Sequence, residues 1–156
     1  SLIIVTKDPK TLTYTFPITT IIYLVLFLSW FYSLGTNLNK KLSKTVKMNL
    51  SKFKIFLIIP IVYIFILSIY QAGIFTKSSI NEQPNPIVFA FIIPTHLFSM
   101  FCIFYSLYFI AKELKSKKKK KPVTFSDFAG EFFLLWFFPI GIWIIQPRIN
   151  KIFESK

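Results

Sequence analysis

Two carboxylic acids, four residues apart at the start of the last apolar segment, are the side chains best placed to do chemistry. They are Asp127 and Glu131. At this spacing they share one face of a helix and repel each other when both are ionised and unpaired. Carboxylates inside a membrane are costly, so they commonly face a bundle interior or a cavity and mark an ion or proton path. Asp127 and Glu131 are therefore candidates for an intramembrane polar site.

Each acid also has a structural interpretation. Thr124 and Asp127 fit the T-x-x-D pattern of a capping box, and an acid suits the positive end of a helix, so we expect Asp127 to be a cap. Glu131 lies about 10 Å deeper along the helix. Lysines such as Lys52 or Lys54 could extend toward Glu131 and neutralise it. For Glu131 the sequence leaves both a structural ion pair and a functional carboxylate open.

The third candidate polar residue is His96, the only histidine, which follows Pro94 in the third apolar segment. We expect His96 to form a hydrogen bond to another helix, or to a carbonyl freed by Pro94. A proton relay from His96 to Glu131 would have to bridge about 12 Å through water. Pro94, Pro139 and Gly141 are candidate kinks. A lone histidine without a cysteine cluster cannot hold a metal, and we expect no metal and no cofactor.

Motifs of enzymes that work inside membranes are absent from the sequence. These include zinc-binding HExxH, paired intramembrane aspartates, a serine–histidine pair, a reducing cysteine pair and phosphate-binding glycines. We therefore predict that the protein is not an enzyme.

Apolar segments long enough to cross a bilayer must position these residues. The chain is 54% hydrophobic and has 20 phenylalanines, more than the surface of a soluble domain of 156 residues would tolerate. The sequence predicts one all-α domain, an integral membrane protein built as a compact bundle of four transmembrane helices. The spans are predicted at about 16–34, 55–75, 87–111 and 124–145.

Lysine placement predicts the orientation of the bundle. Loops 39–54 and 112–123 each carry a net charge of +6, whereas the loop between them, with Lys77 and Glu82, is neutral. Lysine excess marks the cytoplasmic side, so both basic loops are predicted to be cytoplasmic. The net charge of +13 is thereby explained by topology, and we expect no nucleic-acid partner.

Part of the second basic loop is also a candidate contact for anionic lipid headgroups. A topology signal alone would account for the same residues, since the first basic loop uses lysines without a run. The candidate contacts are Lys117, Lys118, Lys119, Lys120 and Lys121.

The last segment allows two arrangements. Its uninterrupted apolar part, 132–145, has 14 residues, and a span needs roughly 20. Residues 125–145 would reach about 31 Å as one helix, which favours a fourth span with both termini outside. The alternative is a re-entrant or interfacial helix, broken at Pro139–Gly141, whose basic tail returns to the cytoplasm.

The same region has an unusual composition. Segment Ala129–Arg148 holds seven of the chain's Trp, Gly, Ala and Pro residues, against 13 in all the rest, and it contains the only arginine. We interpret this segment as the constrained, working part of a chain whose other helices tolerate apolar drift.

From these patterns we expect a structural or accessory subunit that acts through helix packing, in a multi-pass protein of a bacterial cytoplasmic membrane. Its expected partners are the lipid bilayer and either copies of itself or other membrane-protein subunits. One alternative is an oligomeric ion or proton channel or transporter that uses Glu131. A second is a membrane-perturbing effector.

Overall fold

Five helices make up the described part of the chain. The structure is a computed structural model that describes residues 9–44, 46, 48–77 and 86–154. The amino-terminal tail with Lys7 and the middle of the neutral loop with Glu82 lie outside these residues. The helices are α1 (Pro9–Lys40), α2 (Leu50–Lys77), α3 (Pro86–Lys119), α4 (Phe125–Trp136) and α5 (Phe138–Glu154).

Three of these helices are long and apolar enough to cross a membrane. The candidate spans are Pro17–Lys40, Leu50–Gln71 and Pro86–Lys119, with mean hydropathies of 1.8, 2.4 and 2.2. Only 22%, 17% and 11% of their most apolar stretches are buried within the protein, so most of their surface is left to lipid or to a partner. The predictions of an all-α fold and of transmembrane helices are confirmed at this level.

The predicted count of four spans is not confirmed. α4 has 12 residues and α5 has 17. Their lengths of about 18 and 26 Å each fall short of the roughly 30 Å hydrocarbon core of a bilayer. The break lies at Phe137, and Pro139 occupies the first turn of α5, where its missing N–H removes no helical hydrogen bond. Pro94, by contrast, lies inside α3, which continues as one helix.

The core lies at the lysine-rich end of the bundle, here called the basic end. The basic end comprises the C-terminal turns of α1 and α3, the start of α2 and the described residues of the 41–49 loop. The Phe53 and Phe109 rings stack there with centroids 4.5 Å apart, and both side chains are fully buried or nearly so. Gly35 lets the Phe53 ring lie directly on α1, since a Cβ would be 2.6 Å from that ring. Most of the described side chains in the outer halves of α1, α2 and α3 are exposed or only partly buried.

α4 runs back along α3 from the basic end. Phe128 contacts Tyr108 with ring centroids 5.2 Å apart, and Trp136, two turns further on, contacts Phe104 at 5.3 Å. Because Phe104 precedes Tyr108 by one turn, α4 is antiparallel to α3. The α4 helix therefore ends away from the basic end, part of the way along the bundle.

α5 then reverses direction and returns. At its start, the Phe138 ring lies 4.8 Å from that of Phe27, about 18 Å along α1 from Asn39. At its end, the Lys41 ammonium donates hydrogen bonds to the carbonyls of Ile152 and Phe153, at 3.3 and 3.2 Å. The two helices thus form an α4–α5 hairpin with both ends at the basic end, which is the geometry of the re-entrant alternative.

The reversal depends on a close approach at Gly141. A Cβ on Gly141 would overlap the carbonyl oxygen of Leu134 on α4, so any side chain there would force the two helices apart. Gly130, on α4 itself, has open space around the same position.

A labelling experiment tests the direction of α5. In a Cys102→Ser background, single cysteines are placed by Lys44→Cys in the 41–49 loop and by Glu154→Cys at the end of α5, with Ser79→Cys as reference in the neutral loop. We expect a membrane-impermeant thiol reagent to label positions 44 and 154 from the same side and position 79 from the opposite side. If 154 instead behaves like 79, a fourth span exists and the hairpin is wrong.

The two glycines form a matched pair of substitutions. Gly141→Ala should destabilise the protein by about 1–3 kcal/mol, because the hairpin must open to admit the methyl group. Gly130→Ala should be neutral or stabilising by up to about 1 kcal/mol, since alanine is the better helix former. Thermal unfolding in detergent micelles, followed by tryptophan fluorescence, measures both. Equal effects at the two positions would contradict the close approach.

Candidate functional site

Ion pairs of α3 with α4 join the two candidate acids to two lysines that have the same spacing. Lys115 approaches Glu131 with an Nζ–Oε1 distance of 3.1 Å, and Lys119 pairs with Asp127. Since the helices are antiparallel and both pairs are spaced by one turn, each acid faces its own lysine. We call this arrangement the ion-pair ladder. It removes the repulsion expected between two unpaired carboxylates.

Glu131 is the buried rung of the ladder. Its residue is 8% exposed, and Arg148 of α5 adds a second cation, with an Nη1–Oε1 distance of 3.7 Å. One carboxylate therefore holds side chains of α3 and α5 against α4. The expected neutralisation by Lys52 or Lys54 is wrong: Lys54 lies over the Tyr32 ring, 5.7 Å from its centroid. An ion pair formed within the basic end leaves these earlier lysines no role at Glu131.

Asp127 is a helix cap, as predicted. Its Oδ2 accepts hydrogen bonds from the backbone N–H of Thr124 at 3.0 Å and from the Thr124 hydroxyl at 3.1 Å. The hydrogen bond from Lys119, together with those from Thr124, lowers the pKa of Asp127 to about 2. The side chain is partly exposed and stays ionised at neutral pH. Asp127 thus fixes the start of α4 against the last turn of α3.

His96 makes the predicted hydrogen bond between helices. Its Nδ1 lies 3.2 Å from the Tyr63 hydroxyl of α2. Glu131 binds cations of α3 and α5 near the opposite end of the bundle, and among the described residues no contact joins it to His96. The two polar groups are separate features, and a direct relay between them has no structural basis.

Glu113 is a buried acid that the sequence analysis did not single out. Its side chain is fully buried, and its Oε1 accepts a hydrogen bond of 2.8 Å from the Asn39 amide of α1. Within the described residues, its Oε2 and the nearby buried Ser116 hydroxyl have no hydrogen-bond partner. Glu113 sits in a lysine run, but it is one turn beyond buried Phe109 on the same face. Helical periodicity could therefore have identified it as a core position.

The lysine run of α3 is divided among different roles. Lys119 belongs to the ion-pair ladder, whereas Lys117, Lys118 and Lys120 line a cavity of about 810 Å³ between α3 and α5. We call it the basic cavity. Lys121 is exposed beyond the end of α3. Of the five candidate headgroup contacts, the structure therefore gathers three around one cavity.

A second concave surface lies between the outer halves of α2 and α3. Two adjoining cavities, of about 630 and 430 Å³, share Tyr63, Leu67, Tyr70 and Ile92 in their walls. Their linings are apolar apart from a few hydrogen-bonding side chains, among them His96. We call this surface the outer groove.

Comparison with known proteins identifies no relative. No protein-family model matches the chain, and no curated protein or solved structure matches it significantly. Within the described residues, no group of three or more His, Cys, Asp or Glu side chains could hold a metal ion. The ion-pair ladder, the basic cavity and the outer groove are therefore the features that bear on function.

Removing the buried acid should weaken the fold. Glu131→Gln leaves Lys115 and Arg148 close together without their carboxylate, and we expect it to cost roughly 1–3 kcal/mol of stability. Asp127→Asn should cost less, because its ion pair with Lys119 is much more exposed. Thermal unfolding of the two variants in the same detergent makes the comparison. A Glu131→Gln protein as stable as wild type would show that the ladder does not hold the hairpin.

Proposed function

We propose that the protein is a non-enzymatic structural subunit of the cytoplasmic membrane that assembles with copies of itself through the outer halves of its helices. In this proposal the basic end faces the cytoplasm, as the lysine excess favours, and the α4–α5 hairpin enters the membrane from that side. The bundle is one repeating unit of the assembly.

The observation that carries the proposal is the difference between the two halves of the bundle. The buried core lies in the basic half around Phe53 and Phe109, whereas two adjoining and mostly apolar cavities lie between the outer halves of α2 and α3. Association of helices in lipid relies on van der Waals packing and on hydrogen bonds between helices. A groove with polar side chains such as Tyr63 and His96 in its wall offers both to an entering helix.

A second copy provides a matching ridge. Ile18, Ile22 and Leu26 of α1 are all more than half exposed and are spaced by four residues, the spacing of a ridge that packs into a groove. The hydrogen bond between Asn39 of α1 and Glu113 of α3 shows that these two residues lie at the same level along the bundle. Ile22 and His96 each lie 17 residues away from that level, about 25 Å along their helices. The ridge and the outer groove therefore lie at the same depth.

The ridge and the groove are on different surfaces of one protomer. Contacts of this kind join copies head to tail, and they give rings where the rotation closes. The α1 ridge of one copy would fill the outer groove of the next, leaving the hairpins together at the basic end. This geometry supports the proposal of a structural unit that assembles with itself and needs no ligand to do so.

The channel alternative receives less support from the contacts of Glu131. Lys115 and Arg148 approach the carboxylate, so it offers a moving cation no unpaired charge. The residue is better explained as the anchor of the hairpin.

Crosslinking between copies tests the proposal. In a Cys102→Ser background, Ile22→Cys marks the ridge and Ile66→Cys marks the rim of the groove; the two are combined in one chain. A short bismaleimide applied to membranes should give crosslinked dimers, trimers and larger species with this double variant only. The matched control pairs Ile22→Cys with Trp143→Cys, which is exposed on the hairpin.

Three other outcomes would contradict it. Equal amounts of crosslinked oligomers from the two cysteine pairs would indicate random collisions. Adducts with a different protein would point to an accessory role in a foreign complex. Monomers alone, together with a monomeric native mass in mild detergent, would leave the outer groove to lipid.

A further inference from the structure

The basic cavity is lined mainly by positively charged side chains. Six basic side chains line it, with Glu131 as the one acid in its wall. The remaining wall is apolar and comprises Leu114, Ile145 and Ile152. The six basic residues are Lys115, Lys117, Lys118, Lys120, Arg148 and Lys151.

Most of this charge has no counter-ion among the residues that the structure describes. Glu131 binds Lys115 and Arg148. The side chains of the other four lysines form neither an ion pair nor a hydrogen bond with a described residue. Ammonium groups gathered around one cavity repel one another, and an anion among them would relieve that repulsion. Phosphate is well suited, because its oxygens accept charge-assisted hydrogen bonds from several donors at once.

The backbone conformation of Lys120, which lines the cavity, also supports an anion there. Lys120 has φ of 55°, a left-handed conformation that a residue with a side chain adopts at a cost. It follows the last turn of α3, where glycine would be the usual residue. A lysine in this position places another cation at the cavity, which suggests that its charge is useful there.

The depth of the cavity favours a lipid over a soluble anion. α3 has 34 residues and is about 51 Å long, so it extends beyond the roughly 30 Å hydrocarbon core. Lys115 and Lys120 follow the apolar part of α3, which ends near Ala111, by about one turn and about two and a half turns, which places them level with the phosphates. Buried Leu114 and Ile145 provide an apolar wall beside the cations. A phosphodiester attached to acyl chains matches both properties of the cavity.

We propose that the basic cavity binds the phosphate of an anionic phospholipid headgroup. The cations of α3 and α5 surround the phosphate, the apolar wall contacts the start of the acyl chains, and Glu131 keeps Arg148 and Lys115 in position. This site is independent of the proposed assembly through the outer groove, because the two surfaces lie in different halves of the bundle.

Lipid-dependent stabilisation tests the site on the full chain. The purified protein in neutral detergent is titrated with short-chain phosphatidylglycerol, short-chain phosphatidylcholine or inorganic phosphate, and thermal unfolding is recorded. We expect phosphatidylglycerol to raise Tm, and phosphatidylcholine and millimolar phosphate to have little effect. The triple variant Lys117→Gln, Lys118→Gln, Lys151→Gln should bind phosphatidylglycerol at least about tenfold more weakly.

The control carries the same change of net charge at the same end of the protein. It is Lys40→Gln, Lys44→Gln, Lys52→Gln, and it should bind phosphatidylglycerol within about twofold of wild type. Equal losses in the two triple variants would overturn the site in favour of general charge attraction. Equal stabilisation by both lipids, or full stabilisation by inorganic phosphate, would overturn the lipid assignment.

A second measurement uses only the wild-type protein, so it does not depend on the folding of a variant. A photoactivatable phosphatidylglycerol with its reactive group near the headgroup is incorporated into vesicles with the protein. We expect crosslinks in the peptides that contain 114–120 and 145–152. Crosslinks distributed evenly over the 41–49 loop and these peptides would contradict the proposal.

Discussion

The arrangement of the basic end depends on two ion pairs, Lys115 with Glu131 and Lys119 with Asp127. The α4–α5 hairpin consists of two helices that are each shorter than the hydrocarbon core of a bilayer, so contacts with the rest of the protein must hold it in place. The ladder fixes α4 to α3, and Arg148 brings α5 to the same carboxylate. The basic cavity lies between the lysine-rich end of α3 and the part of α5 that carries Arg148 and Lys151.

The polar contacts between helices in the described part of the protein are concentrated at the basic end. At the basic end, the ion-pair ladder, the Asn39–Glu113 hydrogen bond and the hydrogen bonds of Lys41 each join different helices. Further out, among the described residues, the Tyr63–His96 hydrogen bond joins α2 to α3. In lipid, apolar side chains gain little by leaving the solvent, so the association of helices relies on close packing and on polar contacts of this kind. The outer groove lies where such contacts are fewer among the described residues.

Local patterns predicted local features of this fold. Apolar length predicted the membrane helices, the T-x-x-D pattern predicted the Asp127 cap, and Pro139 indicated the break that the structure places at Phe137. The partners of Glu131 could not be predicted, because Arg148 reaches it only once α5 has reversed. That reversal depends on contact between the Gly141 and Leu134 backbones, which no periodicity encodes. The sequence did not identify Glu113 as a core position, because the lysines around it are typical of an exposed segment.

The unusual composition of segment Ala129–Arg148 has a physical reading in these contacts. Glu131 anchors two helices, Gly141 permits the close approach, and Arg148 reaches the shared carboxylate from α5. Apolar drift could supply none of these groups, whereas the lipid-facing surfaces of α1 to α3 require only hydrophobicity. Trp143, 80% exposed on the hairpin, has no partner ring among the described residues and suits an interfacial position. Glu131 and Arg148, which join α4 to α5, also line the basic cavity, so the polar contacts of this segment converge there.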